Sequence, residues 1–164
     1  MNIKLRSFTL NPFWVTGFVD GEGCFCVSFN KRASLKMKLE VRPSFSLGQH
    51  ERSVDTLKSL QEFFNTGGIR YDKKEGSYKY EVRDLKSLNE KIIPHFEKYQ
   101  LISAKKEDFE RFKIICLLMK NSKHLNRQGL MIIIENAVKM NQSGKRKYLK
   151  EDLLRICGEV EGIV

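Results

Sequence analysis

The spacing of apolar and polar positions along this chain changes period several times, and each change marks an element. After Gly23 the period is two: Phe25, Val27 and Phe29 are apolar, while Cys26, Ser28, Asn30 and Arg32 share the other face of a half-buried strand. The next segment alternates most clearly, with Leu35, Met37, Leu39, Val41, Pro43, Phe45 and Leu47 set against Lys36, Lys38, Glu40, Arg42, Ser44 and Ser46. Pro43 cannot donate a ladder hydrogen bond, so it predicts an edge position or a bulge. Val54, Leu57, Leu60, Phe63 and Phe64 then recur at helical spacing until Asn65-Thr66-Gly67-Gly68 ends the helix. Two shorter strands are expected, about Gly68 to Asp72 and Ser77 to Arg83, joined by the polar turn Lys73-Lys74-Glu75-Gly76.

Upstream, Asn11 can cap free amides and Pro12 suits a first helical position, so a helix should run from about Pro12 to the acids Asp20 and Glu22. Downstream the pattern is helical. It predicts Leu85 to Ile93, a short turn from Pro94, Lys105 to about Lys120, Asn126 to Met140, and a weaker Tyr148 to Cys157. Phe109, Phe112, Ile115, Cys116 and Met119 form the core stripe of the longest helix. The order α-β-β-α-β-β-α followed by more helices predicts an α+β fold. One antiparallel sheet turns its apolar face to helices and leaves the other face open.

Composition sharpens this picture. The 164 residues suffice for one domain with a real core, so 1–164 is read as a single unit. Lysine and arginine outnumber aspartate and glutamate 30 to 20, for a formal charge of +10, while 41% of residues are hydrophobic. That balance excludes a disordered chain and points to a polyanion. Nucleic acid comes ahead of a membrane surface, because no basic amphipathic helix or apolar run of about 18 residues occurs. A basic protein that merely repels itself has the same composition. Cys24, Cys26, Cys116 and Cys157 lack paired C-x-x-C spacing and read as reduced thiols of an intracellular protein. The start MNIKLRSFTLNP has no long apolar stretch, which argues against a secretory signal and leaves an organellar address open, mitochondrial or chloroplast.

The open sheet face is the first candidate site. Its outward positions are Cys26, Ser28, Asn30 and Arg32, then Lys36, Lys38, Glu40, Arg42, Ser44 and Ser46, then Arg70 and Asp72, then Lys79, Glu81 and Arg83. Basic side chains can neutralise phosphates or read guanine, and the others add base-edge donors and acceptors, which suits readout in a major groove of double-stranded DNA. An ordinary solvated sheet face shows the same pattern. A ten-residue strand spans roughly 33 Å, comparable to one duplex turn.

The second candidate is VTGFVDGEG, residues 15 to 23. Gly17 and Gly21 stand four apart on one helix face and cost up to about 1 kcal/mol each against alanine, so close packing of another helix is the natural compensation. The chain holds no second copy of this stretch, which makes the partner the same helix of another subunit. The plainer alternative leaves Gly17 incidental and Gly21 a helix terminator. Asp20 and Glu22 face the negative end of the helix dipole, an unfavourable placement that a hard cation such as Mg2+ would reverse. A plain acidic turn is the other reading. Trp14 and Phe18 read as core residues, and His50, His95 and His124 as dispersed surface or loop histidines.

VTGFVDGEG, behind Trp14 and ahead of CFCVSF, resembles the motif of the LAGLIDADG homing endonucleases, and the succession of elements follows the same plan over about residues 11 to 141. NPFWVTGFVDGEGCF, FSLGQHERS, IIPHFEKYQLISAKKEDFERFK and KHLNRQGL make it most similar to fungal-mitochondrial-type members. Phe18 and Val19 replace the leucine and isoleucine of the consensus, and glutamate stands for its final aspartate. The resemblance implies a saddle-like, four-stranded sheet under the helices, with residues 142–164 as a helical tail. It also implies that Glu22 binds Mg2+ with the Gly21 carbonyl. Asp20 would buttress the helix ends at a dimer interface opened by Gly17 and Gly21, and Gln49 would order water near the scissile phosphate. Of Lys105 and Lys106, Lys105 is favoured as the active-site lysine.

The activity so implied is a Mg2+-dependent double-strand break with short 3′ overhangs in a long, partly palindromic DNA site. One motif per chain implies a homodimer, the other arrangement being half of a larger protein. The rival readings are a maturase or regulator that grips nucleic acid on the same scaffold without cutting it, and a general basic nucleic-acid chaperone.

Overall fold

The Asn11 side chain accepts the Phe13 amide at 2.8 Å, and Pro12 occupies the first turn, so α1 (Pro12–Glu22) begins where the sequence places it. The structure is a computed structural model and describes residues 9–142, 144 and 146–158. Residues 1–8 of the stretch that lacks a secretory pattern, and the end of the 142–164 tail, lie outside the described residues. Helix α1 passes without a linker into β1 (Gly23–Lys31). A Cβ on Gly23 would meet Val19 Cγ1 at 2.6 Å and the Val19 carbonyl oxygen at 2.8 Å, so glycine is what allows the direct junction.

β1 pairs antiparallel with β2 (Leu39–His50), from Gly23 opposite Leu47 to Lys31 opposite Leu39 without a bulge. β2 pairs with β4 (Ser77–Val82), which pairs with β3 (Gly68–Asp72), giving the sheet order β1-β2-β4-β3. The second strand starts later than its alternation suggests. Residues 32–38 form successive turns, closed by Arg32 N to Lys38 O at 2.9 Å and Lys38 N to Leu35 O at 2.9 Å. Lys36 and Lys38 are therefore in the hairpin loop and not on the strand. Met37 is nonetheless buried, so the loop folds back on the core and carries the period of two through a turn that no glycine announces. Lys38 takes the left-handed φ of 50° that glycine or asparagine usually supplies. Pro43 sits opposite Val27, beyond the Phe45–Val82 pair at which β4 ends, so this stretch of β2 has a neighbour on one side only, as an edge proline requires.

α2 (Val54–Phe64) and α5 (Lys105–Lys120) pack on one face of the sheet. Between them, α3 (Leu85–Ser87) runs through a π turn (Leu88–Ile92) into α4 (Ile93–Lys98), so the expected turn at Pro94 is replaced by continuing helix. Proline at this position removes one helical bond and crowds the carbonyl four residues back. The π turn, in which the Ile93 amide reaches the Leu88 carbonyl, widens the coil just ahead of the ring. The Asn126 side chain accepts the Gly129 amide at 2.9 Å and starts α6 (Arg127–Ala137), which stops short of Met140. α7 (Lys150–Gly158) buries Leu153, Ile156 and Cys157. The segment before α7 is tied to the sheet by Asn141, whose Nδ2 donates to the Phe25 carbonyl at 2.7 Å.

Phe25 is the hub of the core, with ring centroids 5.3 Å from Phe45 and Phe109 and 5.4 Å from Phe96 and Phe112. The α5 stripe of Phe109, Phe112, Ile115, Cys116 and Met119 is buried as its spacing predicts. Two expectations need correction. Trp14 is 45% exposed, because no described element of the chain covers that side of α1, while Phe18 is half-buried and packs against the core as expected. His95 is not a surface residue: it is half-buried among Phe63, Phe64, Phe96 and Tyr99. Thr16 donates its one hydroxyl proton to the Tyr99 carbonyl at 3.0 Å, so His95 Nε2 carries the proton in the 3.1 Å bond between the two side chains.

Replacing Phe25 with alanine should destabilise the protein by about 3 to 5 kcal/mol, read from urea denaturation. Burial lowers the His95 pKa from 6.5 to about 4. The unfolded chain therefore takes up this proton first, and the contribution of neutral His95 is complete above pH 6.5 and lost as pH falls toward about 4. In His95→Gln the urea midpoint should vary less over that window than in the parent.

Candidate active site and nucleic-acid interface

The two acids of α1 have different surroundings. Asp20 accepts the amides of Ile102 at 3.0 Å and Ser103 at 3.1 Å, and the Ser103 hydroxyl as well. Ser103 Oγ in turn accepts the Lys105 amide at 3.2 Å at the start of α5. The carboxylate at the negative end of α1 is thus compensated by backbone donors leading into the positive end of α5. Burial pushes the Asp20 pKa up, but the bonds from Ser103 and Ile102 and the nearby Lys105 charge outweigh it and hold the carboxyl below its ordinary 3.8. Lys105 crosses the same junction and donates from Nζ to the Val19 carbonyl at 3.0 Å. Lys106 turns away, to Gln100 Oε1 at 3.1 Å.

Glu22 is exposed and makes no hydrogen bond or ion pair with any described residue. Since Gly23 lies opposite Leu47, Glu22 and the Gly48-Gln49 end of β2 come together at one end of the sheet. Lys105 reaches the same place, one helical turn before Glu22. Gln49 is half-buried and has the parity of Phe45 and Leu47, on the helix side. The structure therefore gathers Glu22, the exposed Gly21, Gln49 and Lys105 around the end of α1. Among the described residues no group of three histidine, cysteine or acidic side chains could hold a metal. The oxygen donors of Glu22 and Gly21 nevertheless fit a hard cation that takes one carboxylate and completes its shell with water or a second subunit.

The open face is a continuous set of rows. Cys26 pairs with Ser44, Ser28 with Arg42, and Asn30 with Glu40, while Ser46 pairs with Glu81 and Lys79 with Arg70. Arg32 extends the first strand and contacts Glu40 at 2.9 Å. Arg83 lies just past β4 beside Ser44. Some of these side chains are already engaged: Asp72 accepts the Lys74 amide at 3.0 Å in the β3-β4 turn, and Ser46 is only 5% exposed. Burial raises the pKa values of Cys24 and Cys26, so both thiols stay protonated on this face at neutral pH. Cys24, Gly48, His50 and Ser77 belong to the same rows. They were not among the expected outward positions, although the period of two continues to each strand end and could have found them.

Gly17 and Gly21 are exposed, and a Cβ built on either meets no described atom within 4 Å. Nothing in the described chain itself requires glycine there. Beside them, Phe13 is 71% exposed and Trp14 stacks on Phe18 at 5.1 Å. This side of α1 is apolar and no described element covers it, in contrast to its buried Val15 and Val19.

The family described as LAGLIDADG endonuclease matches residues 15–116. Over 143 residues the chain is 40% identical to the probable intron-encoded endonuclease 2 of Neurospora crassa, covering 87% of this chain and 31% of that protein. It thus spans less than a third of that relative. The crystal structure of a homing endonuclease, I-TnaI, superposes with a TM-score of 0.81 at 35% identity, over 94% of this chain and 100% of that one. The I-SmaMI LAGLIDADG homing endonuclease bound to cleaved DNA superposes with a TM-score of 0.82 at 32% identity, over 92% of this chain and 49% of that one. A further structure shows I-SmaMI on uncleaved DNA in the presence of calcium ions.

Asp20→Asn should cost about 1 to 2 kcal/mol at neutral pH, since it removes a charged acceptor from two amides and a hydroxyl. The folded pKa lies below the unfolded 3.8, so the contribution is present above that value and fades as pH falls through the lower one. The difference between parent and variant in urea should accordingly shrink in acid.

Proposed function

This chain belongs to the LAGLIDADG endonuclease family, and on that footing we propose that it is a sequence-specific, Mg2+-dependent DNA endonuclease acting as a homodimer. The product is a double-strand break with short 3′ overhangs in a long, partly palindromic site. The observation that carries this reading is Glu22: an exposed acid without a partner, set at the end of a basic sheet face and beside a lysine fixed by the helix that precedes it.

Glu22 and the Gly21 carbonyl would hold the cation, and a cation so bound lowers the pKa of water and offsets charge on the phosphate. Lys105 is kept at the site by the Val19 carbonyl, where its charge can stabilise negative charge growing on phosphate oxygens. Gln49 orients water at the same end of β2. Asp20 keeps the end of α1 fixed relative to α5, so the distances among these groups are maintained. The open face grips phosphates with its lysines and arginines and reads base edges with its mixed polar positions.

At this site one chain supplies one unpaired acid, Glu22, whereas cutting both strands calls for two. The uncovered face of α1, with Gly17 and Gly21 at its centre, supports packing against its own copy, which would bring two Glu22 residues together. The match over the whole I-TnaI chain supports this arrangement, and the match to 49% of I-SmaMI supports the alternative in which such a unit is half of a longer chain. The intron-encoded relative supports an intracellular, organellar setting. No helix among the described residues is long and apolar enough to cross a membrane.

Glu22→Gln should lower Mg2+-dependent plasmid cleavage by more than about 1000-fold while duplex binding is retained. A folded variant that loses binding along with cleavage, or one that still cuts, counts against the assignment. Subunit mass in solution should correspond to two chains.

A further inference from the structure

The open face contains an acid that a phosphate-gripping surface would do better without. Glu81 sits mid-sheet opposite Ser46 and Gly68, and its side chain is only 11% exposed. Three cations surround it: Arg83 at 3.0 Å, Arg70 at 3.8 Å and Lys79 at 3.9 Å. Facing DNA, this carboxylate offsets cations that would otherwise grip phosphate, so its presence calls for a role other than attraction to the backbone.

The contact with Arg83 differs in kind from the other two. Arg83 Nε lies 3.0 Å from Oε2 and Nη2 donates to Oε1 at 3.1 Å, two parallel bonds that fix the guanidinium plane. They use the Nε edge of the fork. Three of the five N–H groups remain, including the Nη1/Nη2 end, which matches the O6 and N7 acceptors of guanine in a major groove. The side chain of Arg83 is 54% exposed above the covered acid, so that end is accessible. Arg32, which is also hydrogen-bonded to a glutamate on this face, makes a single bond, at 2.9 Å, which leaves its plane free to turn.

We propose that Glu81 and Arg83 form a base-reading unit, in which Arg83 recognises one guanine in each half-site and Glu81 is the positioning residue that holds it. The inference rests on the sheet binding DNA as a homing endonuclease would, and goes beyond that reading by naming a base and the residue that reads it. The β2-β4 register places Arg83 beside Ser44, three residues along β2 from Leu47. That is roughly 10 Å from the Glu22 end of the sheet. The guanine therefore belongs to the inner part of each half-site, near the cleaved bonds. There, past the end of β4, Arg83 borders a cavity of about 280 Å³ that Ser28, Arg42 and Ser44 line from the open face and Leu85 and Met119 line from the helix side, so no strand covers the outer side of Arg83.

The test is selection from a pool of duplexes randomised within a pseudo-palindromic frame, at fixed salt, with the intact chain and with Arg83→Ala, Arg83→Lys and Glu81→Gln. The parent should enrich guanine at one mirrored position. Arg83→Ala should reduce that preference about tenfold to a hundredfold and leave other positions as they were. Arg83→Lys keeps the charge but not the fork, so it should lose the same preference while holding its affinity for random duplex. Glu81→Gln should weaken guanine selection at that position and bind random duplex more tightly, a combination that simple loss of structure does not produce. Guanine selection that survives Arg83→Ala, or a loss spread evenly over all positions, overturns the proposal. A parent that selects a defined site without an Arg83-dependent guanine overturns this inference alone, and a parent that selects nothing overturns the DNA-site reading with it.

Discussion

The end of the molecule at which we propose the active site depends on how α1 stops. Its last turn carries two acids where the helix dipole is least favourable to them, and the chain compensates only one. Asp20 is satisfied by the amides of Ile102 and Ser103, which lead into the N-terminus of α5, while Lys105 from that same helix returns a charge to the Val19 carbonyl. Gly23 then lets the strand leave directly, without a loop in which the geometry could relax. Opposite helix ends neutralise each other, and the remaining acid is held in a fixed place with nothing among the described residues to bind it.

That arrangement divides labour between neighbouring residues of one motif. Asp20 turns into its own chain, Gly17 and Gly21 turn outward with no side chain, and Glu22 points free at the end of the sheet. The sheet itself shows a related economy. Its open face is basic overall, but Glu81 lies among three cations and Glu40 contacts Arg32. Acids on such a face reduce bulk attraction for phosphate and fix the orientation of the basic groups that remain, which under the proposed DNA reading exchanges affinity for selectivity.

Much of this was legible in the sequence because the signals are local. A period of two identified β1, β2 and β4 and the face of most of their residues, and a helical period marked the buried stripe of α5, since both periods follow from backbone geometry. Asn11-Pro12 marked the start of α1 for the same reason. The local rules failed where a segment obeyed two of them at once. Leu35 and Met37 continue an alternation although their segment is a loop folded onto the core. Pro94 carries a breaker's chemistry within a helix that widens by one π turn to absorb it.

Which acids, rings and arginines find partners was beyond any local rule. Trp14 has the chemistry of a core residue and lies on the side of α1 that no described element covers, because burial depends on where the other helices pack. His95 looks isolated in the chain and is enclosed by four rings contributed by two segments. The order of residues was enough to specify most of the elements, most of their inward and outward faces, and one acidic motif at the end of α1. It took the packed chain to match Asp20 to Ser103, to bring Lys105 rather than Lys106 to the end of α1, and to set Arg83 in the grip of Glu81. Periodicity is a property of adjacent residues, whereas the first two pairings are set by helices meeting across long stretches of chain, and the third by rotamers that the packed sheet leaves available.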